Sequence, residues 1–183
     1  MTAARLSSKS DQMDSSTSHS TVLPPALEIL APAEQTVPLV FASPHSGSDY
    51  PQTFLSQAAL DPRTLRRSED TYVDELFSAA PRLGAPLLRA LFPRAFVDPN
   101  REPYELDPGM FRDPLPDYAN IRSPRVAAGL GTLARVVANG AEIYNHRLPF
   151  AEAEHRIATC YRPYHEALQG LIQATVARFG CCL

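Results

Sequence analysis

Hydrophobic residues fall in short blocks along this chain, and the period within each block predicts an element. Residues 38–43, Pro-Leu-Val-Phe-Ala-Ser, form a continuous apolar run bounded by Pro38 and Pro44, the pattern of a strand buried on both faces. Residues 85–91 and 95–98 read as two more short strands. Between these runs, Asp61-Pro62 opens a short helical piece with proline at an early position. Ser68 is placed to cap a helix running to about Ala80, whose Val73, Leu76, Phe77 and Ala80 make an apolar stripe at three-to-four spacing. The best-defined pattern covers 150–179, where Ile157, Tyr161, Tyr164, Leu168, Leu171, Ile172, Val176 and Phe179 recur on one side. Pro163 should kink that helix or split it, and Gly180 should stop it. Cys181-Cys182-Leu183 then reads as the start of a new buried strand.

The remaining segments are polar or proline-rich. From Ser7 to Thr21 the chain is almost wholly Ser, Thr, Asp, Lys, Gln and His, which cannot bury enough apolar surface to offset chain entropy. The expected organisation is a disordered Ser-rich tail over 1–21 and one ordered α/β domain over 22–183. Residues 99–124 carry six prolines, at 99, 103, 108, 114, 116 and 124, in a stretch too long for a simple connection. Loops of that length are usually lids or disordered segments.

Composition narrows the function classes. At 183 residues with 44% hydrophobic and 20% charged positions, the chain suits one soluble domain with a real core. A net charge of −3 leaves no basic footprint for nucleic acid, and no apolar run approaches the roughly 20 residues that span a bilayer. Of the 17 Lys and Arg residues only Lys9 is lysine; a planar guanidinium reads carboxylates well, and a GC-rich genome accounts for the bias equally. Cys160, Cys181 and Cys182 make neither a disulfide framework nor a paired zinc spacing, which fits a reducing cytoplasm. The expected partner is a small molecule.

Three clusters then stand out where the chain leaves or enters an element, the usual place for sites in α/β proteins. Ser43-Pro44-His45-Ser46-Gly47 follows the first apolar run. His45 there can ligate zinc through neutral imidazole, with a carboxylate from Glu69 or Asp70 completing the pair and the other acid taking a proton from bound water. The same acids equally suit the first turn of a helix, and His45 a backbone-bonded turn. Asp98-Pro99-Asn100-Arg101 closes the 95–98 run. Arg101 can bind a substrate carboxylate bidentately with Asn100 beside it, or pair with Asp98 or Glu102 while Asn100 forms a turn. His165, beside the stripe of the long helix, reads as a satisfied helix histidine, and His155 as solvated.

Taken together, these clusters resemble the N-formylglutamate amidohydrolase family. The residues that carry the likeness are Ser43-Pro44-His45-Ser46-Gly47, Tyr50-Pro51 with Phe54, Arg67-Ser68-Glu69-Asp70 with Val73-Asp74, and Asp98-Pro99-Asn100-Arg101. Gly140 to Tyr144, Arg147-Leu148-Pro149 and Tyr161-Arg162-Pro163-Tyr164-His165 extend it, so that it runs from about Val22 to the C-terminus. The resemblance implies a metal-dependent hydrolase that removes an N-formyl or related N-acyl group from glutamate, in histidine degradation. It implies a three-layer α/β fold, a mixed sheet with flanking helices similar to zinc carboxypeptidases. It makes His45 and one of Glu69 or Asp70 the candidate zinc ligands, and Asn100 and Arg101 the candidate clamp on the substrate carboxylate. The family's next strand leads into a Cys-His-Ser-Met type motif with a further site histidine, whereas this sequence stops at Leu183. The resemblance therefore implies a truncated member, one ligand short of a three-ligand zinc site and lacking part of its sheet. The alternative from a different class is a catalytically silent fragment that keeps a carboxylate-binding pocket or associates through an exposed sheet edge.

Overall fold

Leu87, Leu88 and Ala90 are each about 1% exposed or less, and the strand they form is the centre of the sheet. The computed structural model describes residues 25–183, so the Ser-rich segment 1–21 lies outside the described residues. Strands β1 (Leu27–Leu30), β2 (Phe41–Ser43) and β3 (Leu87–Ala90) lie in the order β1-β3-β2. β1 runs antiparallel to β3 with Leu27 opposite Ala90, and β2 runs parallel to it with Phe41 opposite Leu87. Side chains alternate across the sheet as strand geometry requires. Leu88 and Ala90 enter the main core with Phe54, Val97 and Ile157, while Leu87 joins a smaller cluster with Ala80 and Ala85 on the other face.

β2 is shorter than the 38–43 run and is not buried on both faces, since Ala42 is exposed and only Ser43 is fully covered. The 85–91 run likewise shortens to the four residues of β3. The 95–98 run makes no strand. Pro93 starts a turn, its carbonyl accepting from the Phe96 and Val97 amides, and Asp98 N–H bonds the Thr132 carbonyl. The apolar signal there reflects burial of Ala95, Phe96 and Val97 in a core turn rather than a ladder.

The helix expected over 68–80 is broken into pieces. After α1 (Gln52–Gln57) and α2 (Pro62–Leu65, capped by the Asp61 carboxylate), a 3-10 turn spans Arg66–Ser68. Glu69 then goes extended, Tyr72 sits at φ +67°, and only one helical turn, α3 (Val73–Leu76), follows before a 3-10 turn at Ala80–Leu83. Tertiary bonds override local propensity here: the Glu69 side chain bonds Tyr50 and Arg66, and the Asp70 amide bonds the His45 carbonyl instead of entering a helix. The stripe is split as a result: Ala80 is buried in the smaller cluster and Val73 half-buried, while Leu76 is 78% exposed and Phe77 is exposed as well.

The proline-rich stretch is an ordered part of the core, not a lid. Leu106, Met110 and Phe111 are buried, a 3-10 turn at Pro108–Met110 is capped by Asp107, and single bridges tie Glu105 to Asn120 and Phe111 to Leu148. α4 (Pro124–Ala127) closes it, with the Ser123 hydroxyl accepting from Val126 N–H.

The long helix matches its bounds and buries Ile157, Tyr161 and Tyr164 of its stripe, but toward its end Ile172 and Val176 are exposed and Thr175, bonded to Gln35, is the buried residue. α5 (Phe150–Arg156) passes through a π turn at Ile157–Tyr161 into α6 (Arg162–Phe179), which stops at Gly180 with φ +76°. The π turn lies directly before Pro163, whose missing N–H and bulky ring deny the regular bond to the Thr159 carbonyl. Beyond it, Leu183 N–H bonds the Pro38 carbonyl and its own carbonyl accepts from Val40, as the start of a strand beside the 38–43 segment would, although the Leu183 side chain is exposed. Among the described residues no helix is long and apolar enough to cross a membrane.

Candidate active site

His45 lies just past the carboxyl end of β2, in a loop pressed against the backbone that follows β3. Gly47 permits the approach: a Cβ there would stand 2.3 Å from the Phe92 carbonyl oxygen and 2.6 Å from that of Leu91. Asp49 N–H bonds the same Leu91 carbonyl. The loop therefore holds His45 at 6% exposure, with its ring between two carboxylates. Nε2 is 2.7 Å from Asp98 Oδ1, and Nδ1 is 3.2 Å from Asp70 Oδ2.

Asp98 is the buried hub. Oδ1 also accepts from Asn100 N–H at 2.9 Å, and Oδ2 accepts from Arg94 Nε at 3.0 Å with Arg101 Nη2 at 3.5 Å. Burial pushes its carboxyl up, but the His45 bond and charge, the Arg94 guanidinium and the Asn100 amide together outweigh that and hold it below the usual carboxylate value.

The two adjacent acids have different environments. The Asp70 side chain is half exposed at the edge of a cavity of about 280 Å³, with Arg94 Nη1 4.0 Å from its Oδ1. Glu69, Arg94, Asp98, Leu130 and Gly131 also line that cavity. The Glu69 side chain is only 1% exposed, and both its oxygens are engaged: Tyr50 Oη donates to Oε1 at 2.6 Å and Arg66 Nε to Oε2 at 3.1 Å.

Asn100 and Arg101 stand beside the hub. Arg101 donates from Nε to the Leu130 carbonyl and from Nη1 to the Asn100 carbonyl, while the Asn100 residue is exposed. The long helix braces this corner. Tyr161 Oη donates to the Arg101 carbonyl at 2.7 Å, and His165 Nε2 donates to the Pro99 carbonyl at 2.8 Å, its ring 4.3 Å from that of Tyr161. His165 is thus the satisfied helix histidine of the sequence reading.

His45, Arg101 and the Asn100 backbone amide meet on Asp98, a residue the sequence marks only as a partner of Arg101; Glu69, Asp70 and Asp98 line the cavity, whereas His45, Asn100 and Arg101 stand behind its wall. Arg94 and Tyr50 carried no assigned role. The available signal for Asp98 was a lone carboxylate ending an apolar run, in the same position relative to a buried segment as His45. The signal for Arg94 was a charge inside that same buried stretch.

The pair His45 and Asp70 fits part of a metal site. Two donors around one tetrahedral zinc, at bonds of roughly 2.0 Å, lie about 3.3 Å apart, and Nδ1 and Oδ2 are 3.2 Å apart. A metal-binding imidazole also usually gives its other ring nitrogen to a carboxylate, as Nε2 does to Asp98. Among the described residues no third His, Cys, Asp or Glu joins them to make a group of three.

Comparison with known proteins follows the same line. A family model described as N-formylglutamate amidohydrolase matches residues 37–183. The crystal structure of an N-formylglutamate amidohydrolase from Ralstonia eutropha JMP134 is similar at 38% identity and a TM-score of 0.79, covering 86% of this chain and 55% of that one. A gene product of Agrobacterium tumefaciens aligns at 21% identity and a TM-score of 0.48, over 87% of this chain and 54% of that one. No curated protein matches the chain. The chain spans about half the length of both solved structures. Matched over residues 37–183 and at 38% identity to a solved member, it belongs to the N-formylglutamate amidohydrolase family.

Proposed function

We propose that this chain hydrolyses the amide bond of N-formyl-L-glutamate or a related N-acyl amino acid, releasing formate and glutamate in the first case. The observation that carries the reading is the buried imidazole of His45, oriented by Asp98 and aimed at Asp70 beside a cavity. A divalent metal, zinc first, would be held by His45 Nδ1 and Asp70; when bound, it lowers the pKa of a water to about 7 and polarises the amide carbonyl. Asp98 holds the ring in the tautomer that presents Nδ1. Arg94, beside Asp70 and anchored on Asp98, offers a cation where negative charge develops on the carbonyl oxygen. Asp70 is the acid open to the cavity, half exposed there, whereas the Glu69 side chain is buried on Tyr50 and Arg66.

Arg101 has five N–H donors, of which Nε and Nη1 give one each to carbonyls and Nη2 faces Asp98 at 3.5 Å, so donors remain, and Asn100 is an exposed residue next to it. The pair takes the substrate carboxylate on this reading. On the same reading the mixed sheet belongs to a three-layer, zinc-carboxypeptidase-like architecture. The test is formate release from N-formylglutamate by zinc-loaded protein, compared with Arg101→Ala. Loss of one charge-assisted contact, about 1.5–3 kcal/mol, lowers kcat/KM roughly 10- to 100-fold. Unchanged kcat and KM in Arg101→Ala rule out the clamp.

A second reading, association without catalysis, draws on the exposure of Leu76 (78%) and Leu83 (71%). Sedimentation of the zinc-loaded chain separates the two: a self-associating chain that releases no formate favours it.

A further inference from the structure

Glu69 is a carboxylate at the wall of the cavity whose two oxygens are each held by a donor that turns them away from it. Its side chain is 1% exposed, Tyr50 Oη donates to Oε1 at 2.6 Å, and Arg66 Nε donates to Oε2 at 3.1 Å. Tyr50 belongs to the loop that carries His45, five residues earlier, while Glu69 immediately precedes Asp70. Two further bonds join these segments, the Asp70 amide on the His45 carbonyl at 3.1 Å and the His45 Nδ1 to Asp70 Oδ2 contact at 3.2 Å whose spacing is in question. The Tyr50 ring is itself fixed, stacked 6.1 Å from Phe54, which has no exposure.

We propose that Glu69 is a positioning residue: with Tyr50 and Arg66 it forms a latch that ties the His45 loop to the Asp70 turn and sets the Nδ1 to Oδ2 spacing. This rests on the reading of His45 and Asp70 as metal donors. The latch accounts for two acids side by side in sequence with opposite environments. An extended Glu69, φ −75° and ψ 141°, turns its carboxylate inward to Tyr50 and leaves Asp70 at the cavity. A helix continuing through 69 and 70 would not hold the Asp70 amide on His45.

The experiment compares wild type, Tyr50→Phe, Glu69→Gln, Asp70→Asn and His45→Ala in zinc affinity, measured by competition with a chromophoric chelator, and in melting temperature. Tyr50→Phe and Glu69→Gln should each weaken zinc roughly 10- to 100-fold, the range for outer partners of metal ligands. His45→Ala and Asp70→Asn should weaken it more. Tyr50→Phe, which keeps the stacked ring, should melt within a few degrees of wild type. Unchanged affinity in both latch variants overturns the proposal, and so does a Glu69→Gln loss equal to that of His45→Ala with Asp70→Asn harmless, which would make Glu69 the ligand. A metal-free readout separates the latch from the reading beneath it. The His45 ring nitrogens, followed by 15N NMR in the zinc-free protein, should shift in Tyr50→Phe. Unmoved resonances overturn the latch, whereas wild type that binds no zinc overturns only the donor assignment.

Discussion

Replacing Arg156 by methionine tests the packing that carries the site. Arg156 has no solvent exposure. Its guanidinium donates to Glu152 Oε1 at 2.8 Å, the Phe96 carbonyl at 3.0 Å, the Tyr144 hydroxyl at 2.7 Å and Gln57 Oε1 at 3.2 Å, and lies 4.3 Å from the Phe96 ring centroid. Phe96 is two residues before Asp98, so this cation anchors the turn that delivers the hub of the site. Methionine keeps a similar volume and an aliphatic stem but leaves Glu152 without its cation and the Phe96 carbonyl without a donor. Breaking a buried pair costs about 3–5 kcal/mol. Because the Glu152 side chain is 20% exposed and can regain water, the low end applies. A loss of about 3 kcal/mol corresponds to roughly 6–12 °C in Tm for a chain of this size. Urea unfolding should show a lower midpoint at unchanged slope. Adding Glu152→Leu should recover at least half of the loss, since the orphaned charge goes with it. A single-variant loss below about 1 kcal/mol, or a double variant no better than the single, refutes the reasoning.

Three further outcomes follow from particular contacts. Gly47→Ala pushes a methyl into the Leu91–Phe92 backbone, so it should destabilise by about 1–3 kcal/mol and displace the His45 loop, checked by thermal unfolding and by the His45 resonances. The Asp98 carboxyl is held below its unfolded value, so its contribution is present above about pH 4 and is lost as pH falls through the folded value. Unfolding free energy measured from pH 7 to 3 should therefore fall less steeply for Asp98→Asn, which starts less stable, than for wild type; parallel curves contradict the assignment. Burial raises the Cys160 thiol, partly offset by the Thr159 hydroxyl, whereas Cys181 is exposed and Cys182 half-buried. A native-state thiol reagent at neutral pH should modify Cys181 and Cys182 and reach Cys160 only on unfolding.

Features set by local chemistry were legible from the sequence. Gly180 ends the long helix, Pro163 follows its π turn, Asp61 caps α2, and His45 follows a short strand. What was not legible arises from contacts distant in sequence. Asp98 is 53 residues from His45, and nothing local distinguishes a carboxylate that will be buried from one that will be solvated. The 68–80 stripe has a true helical period, yet bonds from Tyr50 and His45, about 20 and 25 positions earlier, draw Glu69 and Asp70 out of a helix. The 95–98 run shows the converse, in which an apolar sequence marks burial without a strand. The clusters at 43–47, 68–70 and 98–101 were each ambiguous alone, and their convergence on one carboxylate is a property of the fold.

On the proposed function His45, oriented by Asp98 and paired with Asp70, is the working centre of an amide hydrolase. The most direct measurement is formate released from N-formylglutamate by zinc-loaded wild type and by His45→Ala at matched protein and zinc concentrations. Wild type should turn over, and His45→Ala should lose at least 100-fold, with zinc retention falling alongside it. Equal turnover by the two proteins would contradict it.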